Sequence, residues 1–227
     1  MCFSATASFT AAVVLVPAGA LTARRAYTTD RRYLAIGVLP LLFGLQQFSE
    51  GMVWMGGARQ APALVAAFSL AYMFFAWFLW PVWVPFATLF VEPSRRRPLY
   101  LLFAIAGGTL GGLQYVPYFA HDGWLVTTFL NRAIAYGGTE LLDFVVGRNA
   151  TYAIYLFIIT APLLITSDRR LRVFGVLVSL VFVTTYLFFR FAYISVFCFG
   201  GALMSLYLVY VIFRLKPRRP AGDLAAA

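Results

Sequence analysis

The chain has 227 residues, of which 62% are hydrophobic and only 11% are charged, and its formal net charge is +10. A soluble domain needs far more charge to cover its surface, so this composition excludes a soluble globular protein and is typical of a polytopic membrane protein. The basic excess therefore indicates loops beside anionic membrane lipid, and we expect no nucleic-acid partner.

Seven segments are apolar enough to cross a membrane, which takes about 20 residues. Their predicted ranges, in chain order, are 5–23, 34–56, 62–91, 98–119, 150–166, 172–189 and 192–213. The sequence thus predicts an all-α fold, a single transmembrane bundle of seven helices over residues 1–216, followed by a disordered cytoplasmic tail, 217–227. Pro81 and Pro85 are expected to kink the third helix, because proline lacks a backbone N–H.

The basic residues alternate between the two ends of this bundle. Fourteen of the 18 Lys and Arg residues lie in the segments 24–32, 95–97, 169–172 and 214–219. By the positive-inside rule these segments are cytoplasmic, which places the N-terminus outside, the C-terminus inside and the protein in a bacterial cytoplasmic membrane. The long connection 120–149 is then extracytoplasmic. Because it is moderately apolar, we expect it to lie on the bundle and to contain one or two short helices.

Small residues recur in two of the predicted helices, in the runs GGTLGG and FGGALMS. Such runs let transmembrane helices approach closely, so we expect tight helix packing at both places.

The second predicted helix carries an unusual group of polar residues. Glu50 is the only carboxylate that the sequence places clearly within a predicted span, and it lies about 9 Å below the outer end of its helix. Gln46, Gln47 and Trp54 share its helical face. An ionised carboxylate is costly inside a membrane, so Glu50 must be protonated, paired or hydrated. Four further candidates fall near the outer ends of other helices: Gln114, Tyr115, Arg190 and Cys198.

The chain begins MCFSATASF, without a charge before its first hydrophobic run. This start is expected to fold into the outer mouth of the bundle, with Cys2 close enough to Cys198 to form a disulfide or share a ligand. Each candidate also has a purely structural interpretation. Glu50 and its glutamines could tie helices together, Arg190 could anchor the interface, Cys198 could be a small packing residue, and His121 could be an ordinary loop residue.

Three functional hypotheses follow from these residues. The first is a channel, transporter or sensor that binds a small uncharged or cationic ligand, or an ion, in an outward-facing cavity centred on Glu50. The second is a membrane-embedded enzyme in which Cys2 and Cys198 act as a thiol or bind zinc or copper, with Glu50 as general base or as a metal ligand and His121 as a further ligand. The third is a structural or accessory role. The oligomeric state and the ligand's identity stay open.

Two cofactors are disfavoured by single residue types. A retinal protein needs a lysine in the middle of its last helix, whereas the one lysine here, Lys216, lies at the predicted cytoplasmic end. Bis-histidine haem ligation needs two histidines, and His121 is the only one.

Four stretches together carry a family resemblance: MCFSA, LPLLFGLQQFSEGMVW, WPVWVP followed by VEPSRRRP, and SVFCFGGALMS. They resemble an uncharacterised family of bacterial integral membrane proteins, a domain of unknown function, whose members begin with MCFSA. The resemblance covers most of the chain and implies that Met1 is the true start. It implies no activity.

Overall fold

A computed structural model of the protein describes residues 4–130, 133–188 and 192–216, and most of these residues are helical. The α-helices are α1 (Ala5–Thr29), α2 (Leu34–Gly37), α3 (Leu39–Ala58), α4 (Pro62–Met73), α5 (Trp80–Leu89), α6 (Arg97–Ala120), α7 (Arg148–Ile165), α8 (Arg169–Phe188) and α9 (Tyr193–Phe213). Short 3₁₀ turns lie at Arg31–Tyr33, Ser94–Arg96 and Leu141–Phe144, and a π-helical segment, Phe74–Leu79, joins α4 to α5.

Six helical segments of the described chain are long and apolar enough to cross a membrane, which makes this an integral membrane protein. They are Ala5–Thr29, Pro62–Leu89, Ser94–Ala120, Arg148–Ile165, Arg169–Phe188 and Tyr193–Phe213. The 20-residue helix α3 is not among them, since Gln46, Gln47 and Glu50 lower its hydropathy. Membrane crossing by α3 therefore stays a prediction, and the seven-span scheme depends on it.

Helix α1 continues to Thr29, six residues beyond its predicted end. Its hydrophobic run ends earlier, but arginines are good helix formers, so the helix continues past the apolar stretch. At the other end, Ser4 caps the helix by accepting a hydrogen bond from the backbone N–H of Ala7 at 3.3 Å. A side-chain oxygen at this position satisfies an N–H group that would otherwise lack a partner.

Helix α3 packs against α1, α4 and α9. Glycines bring α1 and α3 together: a Cβ atom on Gly19 would lie 2.1 Å from the backbone N of Leu41, and one on Gly44 would lie 2.9 Å from that of Val16. This close approach explains how a helix with so many polar side chains becomes enclosed, because its neighbours cover it on several sides.

The third predicted span is irregular, but the irregularity begins before the two prolines that were expected to kink it. The π-helical segment Phe74–Leu79 ends two residues before Pro81, which has no N–H to donate to the carbonyl of Trp77 four residues earlier. Helix α6 packs here as the GGTLGG run predicts. A Cβ atom on Gly107 would lie 1.9 Å from the Pro81 carbonyl oxygen, and one on Gly111 would lie 2.8 Å from that of Trp77.

The connection 120–149 contains one short helix, the 3₁₀ turn Leu141–Phe144, as its prediction allowed. The sequence did not predict the antiparallel hairpin of β1 (Leu125–Leu130) and β2 (Ala133–Gly138) that precedes this turn. Leu125 pairs with Gly138 and Leu130 pairs with Ala133. Strand β1 is rich in β-branched and aromatic residues, which favour extended backbone once a surface covers one face. That surface is the bundle, since β1 contacts α4 and β2 contacts α9.

The opposite end of the bundle, here called the basic end, joins three of the arginine-rich connections. The buried Glu92 carboxylate accepts hydrogen bonds from the Thr166 hydroxyl, the Ser167 backbone N–H (2.6 Å) and the Ser167 hydroxyl (2.9 Å). Asp168 accepts from the backbone N–H of Leu171 at 3.1 Å and from the Tyr33 hydroxyl. Two acidic side chains therefore fix the geometry of loops in which arginines predominate.

Candidate functional site

The polar residues predicted on one face of the second helix are buried together in the structure. Gln46, Gln47 and Glu50, here called the α3 polar stripe, have no solvent-exposed area. Trp54 follows one turn later and is half-buried, with its ring 5.8 Å from that of Phe129 on the hairpin. Helical spacing alone explains why the four share a face. Their complete burial comes from the packing of other helices around α3.

Glu50 links α3 to two other helices. Its carboxylate accepts a 2.5 Å hydrogen bond from the Ser195 hydroxyl on α9 and a 3.3 Å hydrogen bond from the Ser8 hydroxyl on α1. Within the described residues, no Lys, Arg or His forms an ion pair with it. The carboxyl group thus lies in an enclosed site whose direct partners are neutral hydroxyls, an arrangement suited to holding a proton or a small cation.

The predicted candidate Cys198 lies beside the polar stripe. Its buried thiol is next to the side chains of Gln46 and Tyr72, and Glu50 lies close by. The Gln46 side-chain oxygen accepts a 3.0 Å hydrogen bond from the Trp80 indole N–H. Three predicted site residues, Gln46, Glu50 and Cys198, are therefore neighbours in the fold.

Several buried polar atoms near this region have no hydrogen-bond partner within the described structure. Both side-chain polar atoms of Gln47 are unpartnered, as are the indole nitrogens of Trp54 and Trp77. Buried amides and indoles of folded proteins are normally hydrogen-bonded to protein or to ordered water. These groups therefore offer donors and acceptors to water or to a ligand.

Helix α6 carries two other predicted candidates. Gln114 is fully buried with both side-chain polar atoms unpartnered, and the Tyr115 ring packs edge-on against Phe74 at 5.6 Å. In the described part of the chain, no hydrogen bond joins either residue to Glu50. They belong to the packing of α6 on the π-helical segment.

A cavity of about 730 Å³ opens at the end of the bundle that carries the hairpin. Its walls come from β2, α7, α8 and α9, and it is here called the hairpin-end cavity. It is lined by Ala135, Tyr136, Arg148, Asn149, Tyr152, Ala153, Leu156, Phe182, Tyr186, Ala192, Tyr193 and Ile194.

The sequence predicted a cavity centred on Glu50, but the hairpin-end cavity lies elsewhere. Gln46, Gln47, Glu50, Gln114 and Tyr115 are absent from its described walls. The reason is helix geometry: Tyr193 and Ile194 line the cavity, whereas Ser195 lies about 100° further round α9 and binds Glu50. The cavity and the α3 polar stripe thus contact different faces of α9.

Two smaller pockets follow the cavity along α9. The first, about 10 Å³, is lined by Ala76, Trp77, Tyr152, Tyr155, Tyr193, Ile194, Phe197 and Cys198, and is here called the thiol pocket. The second, about 30 Å³, reaches from Cys198 and Phe197 to Gly201 and has otherwise apolar walls, except for Trp80. Cys198 therefore separates the polar stripe from this series of pockets.

Another buried carboxyl group, that of Glu140, lies near the cavity, and the sequence analysis did not identify it. Glu140 is 3% exposed and accepts a 2.9 Å hydrogen bond from the Tyr118 hydroxyl. Burial raises the pKa of Glu140 to about 7. Close by, Asp143 pairs with Arg148 at 2.7 Å. The sequence signal was weak, because Glu140 lies two residues after β2 in a connection outside the predicted spans, and only the position of the hairpin encloses it.

The remaining metal candidates are not assembled by the described residues. His121 is exposed and stacks on Trp124 with ring centroids 4.2 Å apart. Over the described residues, no group of three His, Cys, Asp or Glu side chains could hold a metal ion. Cys2 and Arg190 lie outside the described residues, so the Cys2–Cys198 disulfide, the Cys2-containing zinc or copper site and the role of Arg190 stay predictions.

The sequence matches the model of a family of unknown function, DUF6629, over residues 1–224. No curated protein and no solved structure matches it.

Proposed function

Because the chain belongs to DUF6629, a family of unknown function, we propose a function from its structure: a seven-span membrane protein that binds a small, uncharged ligand in the hairpin-end cavity. The observation that carries this proposal is the cavity itself, a space of about 730 Å³ whose described walls include several aromatic side chains. Ligand sites in proteins are concave, of about 300–1,000 Å³, mostly apolar, and contain a few fixed polar groups.

The proposed orientation places this cavity on the outer side of the membrane. The arginine-rich connections after α1, α5 and α7 meet at the basic end, where Tyr33 bonds to Asp168 and Glu92 bonds to Ser167. By the positive-inside rule that end is cytoplasmic. The hairpin and the cavity at the opposite end then face outward, with α3 as the second of seven spans.

The walls favour a flat, uncharged molecule. Five aromatic rings line the cavity: Tyr136, Tyr152, Phe182, Tyr186 and Tyr193. Arg148 is the charged residue of the described walls, and Asp143 already pairs with it at 2.7 Å. An anionic ligand would have to displace that carboxylate, whereas an aromatic or alicyclic ligand gains contact with the rings at no such cost.

Glu50 is proposed to respond to the ligand through α9. Tyr193 and Ile194 line the cavity, and the next residue, Ser195, donates the 2.5 Å hydrogen bond to Glu50. A ligand that shifts or rotates the start of α9 therefore changes the hydrogen bonding of the only carboxyl group in the α3 polar stripe. This connection makes Glu50 a candidate for proton or cation coupling in a sensor or transporter.

The test is thermal unfolding of the purified protein in lipid nanodiscs with three probes: acetophenone, tetramethylammonium and benzoate. We expect acetophenone to raise the unfolding temperature and benzoate to leave it unchanged. Ala153→Trp fills the cavity from α7 and should abolish the shift. Phe157→Trp is the control, because Phe157 lies on the same helix, is 61% exposed and does not line the cavity.

An acetophenone shift that persists in Ala153→Trp would place its binding elsewhere. A shift with tetramethylammonium alone would replace the uncharged ligand by a cationic one, bound by the aromatic rings. The absence of any shift with all three probes would contradict the proposal.

A further inference from the structure

The hairpin-end cavity lies between α7 and α8, two helices that are long and apolar enough to cross a membrane. Nearer the basic end these helices touch, since a Cβ atom on Gly175 of α8 would lie 2.7 Å from the Cβ atom of Leu163 on α7. Leu156 lies seven residues before Leu163, and Phe182 lies seven residues after Gly175. Both are therefore about 10 Å beyond the contact, in the direction of the hairpin end.

The two helices diverge between these levels. Seven residues are close to two helical turns, so Leu156 shares a face of α7 with Leu163, and Phe182 shares a face of α8 with Gly175. These faces meet at Gly175, whereas at Leu156 and Phe182 they border the cavity. The cavity is thus the space that opens where two neighbouring helices separate.

One edge of this space lies on the outer surface of the bundle. Ala153 on α7 and Tyr186 on α8 line the cavity and are themselves exposed. Next to them, Phe157 on α7 and Val183 and Leu187 on α8 are exposed apolar side chains that do not line the described cavity walls. Apolar surface on a spanning helix lies against lipid, so the cavity borders the membrane between Ala153 and Tyr186.

The hairpin covers the cavity on another side. Strand β2 contributes Ala135 and Tyr136 to its walls, and Tyr136 is buried. At the start of α7, Arg148 donates a 3.5 Å hydrogen bond to the Gly138 carbonyl oxygen of β2 and pairs with Asp143 at 2.7 Å. An entrance between α7 and the hairpin would have to break these contacts, whereas an entrance at the lipid-facing edge would not.

The walls of the cavity also change in polarity along its length. Arg148 and Asn149 lie in the first turn of α7, at the hairpin end, whereas Leu156 and Phe182 line the part nearest the contact between the helices. The Asn149 amide can both donate and accept hydrogen bonds. A molecule with one polar end and an apolar body therefore matches the walls when its polar end lies beside the first turn of α7.

We propose that the cavity receives its ligand from the outer leaflet of the membrane, through the gap between α7 and α8, and that this ligand is a lipophilic molecule with a single polar end. This inference rests on the proposed function, and it specifies the class of the ligand and its route.

The route is tested with spin labels on single cysteines in nanodiscs, by measuring collisions with oxygen, which concentrates in the bilayer, and with a water-soluble nickel chelate. The parent is Cys2→Ser, since Cys198 is 2% exposed and should take up no label; Cys198→Ala is added if it does. We expect the label at Leu156→Cys to resemble the label at Phe157→Cys, its lipid-facing neighbour at the same depth, in collisions with oxygen. It should meet the chelate at least about fivefold less often than a label at the exposed Asp122→Cys, because polar solutes do not enter the hydrocarbon.

The ligand class is tested with 4-butylacetophenone and its analogue that carries a hydroxyl group at the end of the butyl chain. At equal concentration in the bilayer, 4-butylacetophenone should raise the unfolding temperature. The analogue should not, because its second polar end would be buried beside Leu156 and Phe182. Ala153→Trp should abolish the shift and Phe157→Trp should retain it.

Chelate collisions at Leu156→Cys as frequent as at Asp122→Cys would show that the cavity opens to water and would overturn the route. Rare collisions with both reagents would show a closed cavity and would overturn it as well. Equal shifts with the two ketones would overturn the ligand class. If Leu156→Cys does not fold, Phe182→Cys replaces it, with Val183→Cys as its lipid-facing neighbour.

The acetophenone shift in unfolding temperature separates this inference from the proposed function. A retained shift with a water-open or closed result at position 156 leaves the cavity as a ligand site and removes only the membrane route. Loss of the acetophenone shift itself removes the proposed function.

Discussion

The Ser195 hydroxyl on α9 donates a 2.5 Å hydrogen bond to the Glu50 carboxylate on α3, joining residues 145 positions apart in the chain. With the 3.3 Å hydrogen bond from Ser8 on α1, it places one buried carboxyl group at the junction of three helices. Both partners are hydroxyls, which can rotate to accept as well as donate. That property decides how the site should respond to mutation.

Glu50→Gln should keep the fold and lose coupling to the ligand. The new side-chain NH₂ can donate to Ser8 or Ser195, so we expect a destabilisation of about 1 kcal/mol or less. The acetophenone-induced rise in unfolding temperature should fall, because the titratable group is gone. Strong destabilisation with an undiminished ligand shift would instead show that Glu50 only ties the helices together.

Glu92→Gln should be much more damaging than Glu50→Gln. Glu92 accepts from a backbone N–H as well as from two hydroxyls. The amide oxygen of the new side chain can still accept from the Ser167 N–H, but the acceptor is then neutral and the amide NH₂ must replace the oxygen that faces the Ser167 hydroxyl. We expect a loss of about 2–3 kcal/mol, since three hydrogen bonds lose their charged acceptor and charge-assisted hydrogen bonds are roughly twice as strong as neutral ones. Chemical unfolding of the two variants side by side measures the difference, and equal stability would contradict it.

Gly107→Ala should destabilise the bundle by about 2 kcal/mol or more. The added methyl group would lie 1.9 Å from the Pro81 carbonyl oxygen, and a backbone atom cannot move aside as a flexible side chain can. Gly112→Ala is the control on the same helix, because nothing lies within 4 Å of its added atom. That variant should unfold at or slightly above the parent temperature, and a similar loss in both would show that α6 does not pack tightly at Gly107.

The stability of the folded protein should fall as the pH rises, because of a group at the hairpin end. Burial raises the pKa of Glu140 from 4.5 to about 7, so the folded protein holds a proton there that the unfolded chain releases. The stabilisation from neutral Glu140 is fully present below pH 4.5 and is lost as the pH rises through about 7, with a maximum of about 3 kcal/mol.

Unfolding temperatures measured across this pH range test the prediction. Glu140→Gln should flatten the profile, whereas Asp122→Asn, a substitution at an exposed position nearby, should retain it. A profile that is unchanged in Glu140→Gln would assign the pH dependence to another group.

Reporter fusions test the seven-span scheme. Fusions after Arg32, Pro98, Arg172 and Arg219 should all report the cytoplasm, because the basic residues concentrate in those segments. An insertion after Asp122, beside the hairpin, should report the outside. An outside signal after Pro98 together with a cytoplasmic signal after Asp122 would remove α3 as a span and would also reverse the proposed exposure of the hairpin-end cavity.

The local sequence determined where most helices lie and which residues share a helical face. Apolar runs of sufficient length place the helices, and boundaries such as Ser4 and Pro62 mark where they begin. The helical period alone puts Gln46, Gln47 and Glu50 on one face, and the glycines of GGTLGG mark a close approach to another helix. These features depend on residues within a few turns of one another, so a single sequence displays them.

Only the tertiary structure decided what those faces meet. Ser8 and Ser195 become the partners of Glu50 because three helices converge, and the 125–138 segment becomes a hairpin because the bundle covers one of its faces. The cavity likewise lies on the face of α9 that carries Tyr193 and not on the face that carries Ser195. Which of these two faces meets the cavity depends on how α9 is rotated against its neighbours. Contacts between distant residues set that rotation, and no local pattern in the sequence encodes them.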